Sequence, residues 1–528
     1  MRLPGPKGDA RVSSIVLFLV AIGLWGCSKD WPAFRHDFLR SGGQINDSPL
    51  SDPSKVQSLH VLHTYTPPGA MGFHASPVVY KGVVYVGNGN GYLYALDAGT
   101  LNYLWQYPAP GQPALTQTWL SNPSSYGLAS SATIAKINGT DAVIFGAPDR
   151  SIPPGLGSGR LFAIRADNGQ EIWKSPGLAT LLSDGATHEQ IGYSSPLVWN
   201  DHVYIGIGDH GDDPIQRGAI AAVYLSSGLV DTGFGVSGKS YSTGPPRGGG
   251  IWGSPAAWDT GILTVTGNVW PWSEPSPDNS LSMLKLDQNT GAIAWRWQPV
   301  PYAIDQDADW TATPTVMLTT CGQLSVSTQK DGWAWAVDVN SGKPRWAFPP
   351  GPWFPGGFHP GDGTDSDHGD TRFIRPGAAW DDVYIGMMAG YYAVAPTVTK
   401  QGEGLYNRLY ALNACADDLN RVRWMTEIPG ANFLGPPTVS NGIVFVGTDS
   451  GHLLVLADPT LHAPQGYRCI YTGFVGTILC SLGIGMVPDP YVLKDVTLAG
   501  PVATEPALAN GKVYVSTDNG NVYMLAPN

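Results

Sequence analysis

The sequence predicts an all-β protein, an eight-bladed β-propeller. Three observations carry that expectation. Gly 67, Pro 45 and Trp 19 are all numerous in 528 residues, while long helical patterns are scarce, a mix that points to short strands joined by turns. A unit of apolar strand patterns and glycine turns recurs along the chain. A tryptophan closes most of these units, at a spacing of roughly 40–60 residues. A four-stranded sheet cannot cover both of its faces alone. Stacking such sheets around an axis covers them, and each tryptophan would fill a slot between neighbours.

The chain opens with a basic stretch, Arg2, Lys7 and Arg11, followed by the apolar "IVLFLVAIG". That run is short for a membrane span and reads as an export signal. It ends in "LWGC", Leu24 to Cys27, which resembles the lipobox of bacterial lipoproteins, with Trp25 where a small residue is usual. Residues 1–26 are therefore expected to be a lipoprotein-type signal peptide and Cys27 an acylated mature N-terminus. Residues 27–57 form an N-terminal lead-in, and 58–528 the propeller.

The first unit is "SPVVYKGVVYVGNGNGYLYALDAGTLNYLW". Turns at Lys81-Gly82 and Gly89-Asn90-Gly91 separate three strands, and a fourth ends at Trp105. Related units end at Trp173, Trp295, Trp346 and Trp424. "NGIVFVGTDSGHLLVLAD" and "NGKVYVSTDNGNVYMLAP" lack the tryptophan, and "DHVYIGIGDHGDDPIQRGAIAAVYLSSG" is degenerate. The last unit, Val513 to Leu525, lacks an outermost strand. "SLHVLHTYTP", Ser58 to Pro67, reads as that strand and would close the ring end to end.

Charge is sparse. Only 14% of residues are charged, the net charge is -12, and no basic run occurs among the 30 Lys+Arg, which excludes a nucleic-acid-binding protein. Besides Cys27 there are Cys321, Cys415, Cys469 and Cys480. With no CxxC or CxxCH, a thiolate zinc site and an attached c-type haem are excluded. Cys469 and Cys480 are near enough in sequence to pair in an oxidising compartment, and the pairing stays open.

Against that sparse background, "AIDQDADW" (Ala303 to Trp310) sets Asp305, Asp307 and Asp309 side by side. Crowded carboxylates repel unless a cation or a proton relieves them. On a strand, Asp307 and Asp309 would share one face and Ala308 would point away, which suits a shared cation. A solvated acidic turn is the other reading. "HPGDGTDSDHGD", His359 to Asp370, is a second acidic cluster, read as a solvated loop between strands.

The pattern "YVGNGNGYLYALDAGTLNYLW" resembles the PQQ-enzyme repeat, and "DWPAFRHDFLRSGG" (Asp30 to Gly43) resembles the lead-in of that family. Non-catalytic scaffold propellers of bacterial outer-membrane barrel assembly share the repeat. A sharper resemblance is local. "GGGIWGSPAAWDTGILTVTGNVWPW" (Gly248 to Trp272), then "DNSLSMLKLDQNTGAIAWRWQPVP", is similar to quinoprotein alcohol dehydrogenases. "DADWTATP", Asp307 to Pro314, fits the polyvinyl-alcohol dehydrogenase branch of that family.

The resemblance implies a set of roles. Trp252 is the floor on which planar PQQ stacks, where the alternative is another inter-blade tryptophan. Asn268 offers an amide oxygen to a metal, where the alternative is a Gly267-Asn268 turn. In "GDHGDDPIQRG" the family's glutamate ligand falls on Asp213, with Asp212 as fallback. Asp307 is the catalytic base and a metal ligand, and Asp309 is the extra ligand that lanthanide enzymes carry. Lys330, in "TQKDGWAWAVD", binds the quinone's reactive oxygens. Carboxylate and amide oxygens suit Ca²⁺, with a lanthanide as the other metal.

The implied function is an exported, PQQ- and metal-dependent dehydrogenase. It would oxidise a small or polymeric alcohol and pass electrons to a separate acceptor such as a cytochrome c. It would lie in the periplasm, lipid-anchored to an envelope membrane. The alternative is a non-catalytic lipoprotein propeller that scaffolds envelope proteins. One departure bears on the cofactor. "SNPSSYGLASSATI", Ser121 to Ile134, has neither the adjacent cysteines nor the arginine of methanol-type enzymes. Tyr126 stands in the arginine's place, so a carboxylate-rich cofactor loses an ion-pair partner there.

Overall fold

The structure is a computed structural model. It describes Lys29 to Asn528 apart from residues 45–46, 48, 119–124, 149–158, 180–189, 192, 209–216, 242–247, 268–278, 300–309, 311–312, 330–333, 349–371, 375–381, 390–405, 418–419, 430–434 and 471–472. For 125–126, 372–374, 382–389, 406–408, 429 and 473–476 it describes the backbone alone.

Four-stranded antiparallel sheets follow one another along the chain, each built of strands in sequence order. The first spans 78–107, the second 133–174, the third 197–241, the fourth 256–297 and the fifth 315–348. The sixth spans 372–429 and the seventh 438–497. The last takes Ala507–Ala509, Lys512–Ser516 and Val522–Ala526 from the C-terminus, and its outermost strand is His60–Tyr65. His60 pairs with Ala526 and Tyr65 with Val522. The expected closure by Ser58–Pro67 is thus present, and it covers a sheet edge that would otherwise expose a row of backbone donors and acceptors.

Apolar side chains pack between successive sheets. Phe145 and Phe162 of the second stack with centroids 5.5 Å apart, in a cluster with Val78 and Leu93 of the first. Tyr204 and Ile220 of the third meet Ile262 and Leu284 of the fourth. The fold is an all-β propeller. Seven of its blades are described through every strand with their side chains, one fewer than the eight expected from the repeats. The sixth sheet is described partly by backbone alone, and it is counted as a blade only in the proposal below.

The repeat pattern has a local cause. In the turn between the third and fourth strands, an aspartate side chain accepts backbone amides. Asp97 accepts from Gly99 at 2.9 Å, Asp287 from Thr290 at 2.8 Å and Asp338 from Ser341 at 2.9 Å. A glycine with positive φ completes the turn, and the indole of the preceding blade lies on its bare face. A Cβ on Gly228 (φ +69) would meet Cε3 of Trp173 at 2.5 Å, and one on Gly342 (φ +68) would meet Trp295 at 2.7 Å. The indole nitrogens donate across the slot, Trp173 to the Leu225 carbonyl at 2.9 Å and Trp295 to that of Val339 at 3.0 Å. The periodic tryptophan is therefore the inter-blade filler the sequence suggested.

Two disulfides are present. Cys469 pairs with Cys480 inside an insertion of the seventh sheet, and Cys321 pairs with Cys415, joining turns of the fifth and sixth sheets.

The lead-in segment crosses the inner strands. Trp31 bridges Val79, Ala33 bridges Thr133 and Gly43 bridges Val439, while Phe38 and Leu39 accept from the amides of Ala257 and Val316. Arg40, 1% exposed, donates to the carbonyls of Phe34, Pro196 and Pro255. Desolvation drives its pKa down to about 10, against the pull of Asp37 and Glu505. The buried guanidinium is thus met by backbone carbonyls of three segments, as a buried charge must be.

Candidate functional site

Antiparallel order fixes where each connection lies. The link from second to third strand and the link from fourth strand to the next blade both sit at one end of the ring, here called the mouth. All six candidate residues belong to such links. Asp213, Asn268 and Lys330 lie between second and third strands, in the third, fourth and fifth blades. Trp252, Asp307 and Asp309 lie between a fourth strand and the next first strand. Five of them, Asp213, Asn268, Asp307, Asp309 and Lys330, fall outside the described residues, as do Asp212 and Asp305. Trp252 is described and half-buried.

The roots of these links are described, and hydrogen bonds join them. The link carrying Asp213 leaves after Gly208 and returns at Gly218. Gly218 donates to the carbonyl of Gly248 at 3.3 Å. Gly248 and Gly249 have φ of +89 and +72, a conformation that favours glycine. A Cβ on Gly218 would collide with the Gly249 backbone. This close approach explains the Gly-Gly-Gly run. Ile251 then donates to Ile207 at 3.0 Å, which holds Trp252 at the seam of two blades. Gly267, the residue before Asn268, donates to Gly250 at 2.8 Å.

The remaining roots join the same network. Ser254 donates its amide to Thr313 Oγ1 at 3.0 Å, tying Trp252's segment to the end of the "DADWTATP" stretch. Trp310, 1% exposed, bridges Gln329, the residue before Lys330. Gln329 accepts from the Trp335 indole at 2.9 Å, and Trp297 packs on both Trp310 and Trp335. The roots of every stretch that holds a candidate thus meet on the third to fifth blades.

One layer of the mouth escaped the sequence reading. A belt of hydroxyls runs from the last blade through the first to the fifth, just before their first strands. Ser76 donates its amide to Ser131 Oγ at 2.8 Å, Ser131 to Ser195 at 3.0 Å and Ser195 to Ser254 at 2.8 Å. Glu505 takes the same position in the last blade, donating its amide to Ser76 Oγ at 3.0 Å. Its carboxylate accepts from the Arg35 amide at 2.8 Å, and the Arg35 guanidinium lies 3.9 Å away. Burial pushes Glu505 up to about 7, opposed by Arg35 and Arg40. The signal was legible as Ser-Pro, Thr-Pro or Glu-Pro ahead of most first strands, a repeat position not compared between units. Among the described residues, no group of three or more His, Cys, Asp or Glu is arranged to hold a metal.

Residues 65–210 match the family described as outer membrane protein assembly factor BamB. The chain is 24% identical over 360 residues to the quinohemoprotein alcohol dehydrogenase of Comamonas testosteroni, covering 60% of this chain and 45% of that protein. It is 20% identical over 292 residues to the polyvinylalcohol dehydrogenase of a Sphingopyxis strain, covering 52% of this chain and 40% of that one. The chain thus spans less than half the length of these relatives.

In fold, it superposes on the Comamonas testosteroni enzyme with a TM-score of 0.62 at 19% identity, covering 94% of this chain and 80% of that one. A europium-containing methanol dehydrogenase gives 0.64 at 14%, covering 96% of this chain and 100% of that one. The homologues are quinone-dependent alcohol dehydrogenases, the polyvinyl-alcohol enzyme among them, as the local motifs implied.

Proposed function

We propose that this chain is an exported PQQ- and metal-dependent dehydrogenase that oxidises an alcohol and hands electrons to a separate acceptor such as a cytochrome c. The observation that carries the reading is the joined set of roots at the mouth, Gly218–Gly248, Gly250–Gly267, Ser254–Thr313 and Trp310–Gln329. A half-buried indole, Trp252, two residues before Ser254 of the hydroxyl belt, supports a planar quinone as the group held there.

Asp213, Asn268, Asp307 and Asp309 would hold Ca²⁺ or a lanthanide, and Lys330 and Trp252 the quinone. When bound, PQQ with its metal supplies the two-electron acceptor for the alcohol carbon. The chain's own task is then proton removal and positioning. Asp307 would take the hydroxyl proton, and the ammonium of Lys330 would favour negative charge at the cofactor oxygens. A small or polymeric alcohol would enter at the mouth.

The blade count belongs to this reading too. Counting the sixth sheet, 372–429, gives eight blades, supported by its apolar contacts to both neighbours, Tyr410 to Phe348 and Trp424 to Val439. Residues 1–26 would be removed as a signal peptide and Cys27 acylated. Residues 27–57 would be the lead-in, 58–528 the propeller, and the location the periplasm. Two disulfides support an oxidising compartment. Among the described residues no helix is long and apolar enough to cross a membrane.

The match of residues 65–210 to the BamB family supports a second reading, a non-catalytic envelope scaffold. Reconstitution with PQQ and Ca²⁺ separates the two. A protein-bound quinone absorption band that survives gel filtration is expected, and its absence would favour the scaffold.

A further inference from the structure

The seventh sheet carries an insertion between its third strand, His452–Ala457, and its fourth, Tyr491–Thr497. A hairpin of Gly466–Cys469 with Met486–Asp489 holds a nine-residue helix, Gly473–Ser481, and the Cys469–Cys480 disulfide ties helix to hairpin. No charged residue occurs from Ile470 to Val487. The nearest charges on either side, Arg468 and Asp489, pair with each other at 2.7 Å, and Arg468 also holds Glu427 of the sixth sheet at 3.0 Å. One side of the run packs inward, where Ile470, Leu479, Cys480 and Val487 lie in the apolar cluster of Tyr410 and Met425. The other side is exposed. Ile478, Ile484 and Met486 face solvent there, and Leu482 most of all, at 69%. A contiguous exposed apolar surface of this kind marks a contact site. Its backbone satisfies its own hydrogen bonds. Gly483 donates to the Cys480 carbonyl at 2.9 Å, Ile484 to that of Leu479 at 2.9 Å and Ile470 to that of Gly485 at 3.0 Å. Backbone entering an apolar medium needs such internal pairing.

The insertion is rooted on a link between third and fourth strands, so it leaves the ring at the end opposite the mouth. Lys29 stands at that same end of the last blade. Its carbonyl accepts from the amide of Asn510 at 3.0 Å, in the turn between first and second strands. The seventh and last sheets are neighbours, with Phe445 of one and Val513 of the other in a single apolar cluster. Cys27, the residue that would be acylated, precedes Lys29 by two positions. Anchor and insertion therefore leave adjacent blades at one end. We propose that the exposed face of the insertion, Ile478, Leu482, Ile484 and Met486, enters the headgroup–acyl boundary of a lipid bilayer as a second membrane contact beside Cys27. The inference rests on the lipid-anchored location proposed above. A single acyl chain binds only marginally, and a second contact makes anchoring stable. Protein interfaces surround an apolar centre with a polar rim, whereas these exposed side chains have no charge to offer and the flanking charges are already paired with one another. The mouth, at the other end, stays open to substrate and acceptor.

The test is contact with lipid, read without turnover. The full chain is reconstituted into phosphatidylcholine vesicles that carry a nitroxide on the acyl chain close to the headgroup. A polarity-sensitive fluorophore is attached at Leu482→Cys, and in a second chain at Tyr193→Cys, on a mouth link. Flotation reports whether the protein is on the vesicles, and circular dichroism whether each variant is folded. The probe on the insertion should shift to the blue and be quenched by the nitroxide, while the mouth probe should do neither. Adding Ile484→Asp to the Leu482→Cys chain should remove the quenching, because a carboxylate at that depth is costly. Floated protein whose insertion probe is not quenched overturns the assignment, even where that probe shifts to the blue, since a protein contact then covers it. Equal quenching of the two probes overturns it as well, as does quenching that survives Ile484→Asp. Protein that does not float overturns the lipid-anchor reading itself, a result separable from the absence of quenching on floated protein.

Discussion

Replacing Glu505 with glutamine should flatten the pH dependence of stability. Glu505 is fully buried and accepts from the Arg35 amide at 2.8 Å. Burial raises its pKa from 4.5 to about 7, with Arg35 and Arg40 pulling the other way. The folded state therefore holds a proton that the unfolded chain releases as pH rises past 4.5. Stability falls between about pH 4.5 and 7 and levels off above, because the folded chain binds more protons across that window. A shift of about 2.5 units at about 1.4 kcal/mol each gives about 3 kcal/mol as an upper scale. Glutamine keeps an acceptor for the Arg35 amide and never ionises. The free energy of unfolding in urea, measured for both proteins from pH 4 to pH 8, should diverge by up to about 3 kcal/mol in favour of Glu505→Gln at the alkaline end. Parallel profiles would refute the assignment of a proton to this carboxyl.

Other consequences follow from the same contacts. Gly228→Ala places a Cβ 2.5 Å from the Trp173 ring at a φ of +69 and should cost about 2–3 kcal/mol in urea unfolding. Replacing Cys321 and Cys415 with serine opens a link across a sequence separation of 94 and should lower stability by about 2–4 kcal/mol, with reduction of the wild type giving a similar loss. Deleting His60–Tyr65 uncovers the edge of Val522–Ala526 and should raise the aggregated fraction on size exclusion relative to wild type.

The repeats were legible because each carries its own physical cause. Aspartate caps the turn, glycine bares a face and tryptophan fills it, so Asp338, Gly342 and Trp295 mark a blade without reference to the rest of the chain. The closing strand was legible as well, since the C-terminal unit visibly lacked an edge. The burial of Arg40 and Glu505 was not. No local pattern marks either residue as buried, yet both are. Arg40 finds its carbonyl acceptors at sequence separations of 215 and 156, contacts that no local pattern encodes. For the site, motif spacing located the links, and the structure joined their roots. The joining depends on backbone contacts such as Gly218 against Gly249, which a sequence shows only as a glycine.

The measurement closest to the central claim is dye-linked alcohol oxidation by the protein reconstituted with PQQ and Ca²⁺, comparing Asp307→Asn with Asp305→Asn. The amide of Asp307→Asn keeps the size of the side chain and some ligand capacity but cannot take the alcohol proton. Turnover should fall about 10²–10⁴-fold while the bound-quinone absorption remains, and Asp305→Asn, outside the matched pattern, should act like wild type. Equal turnover in the two variants would contradict the account and leave the scaffold reading ahead.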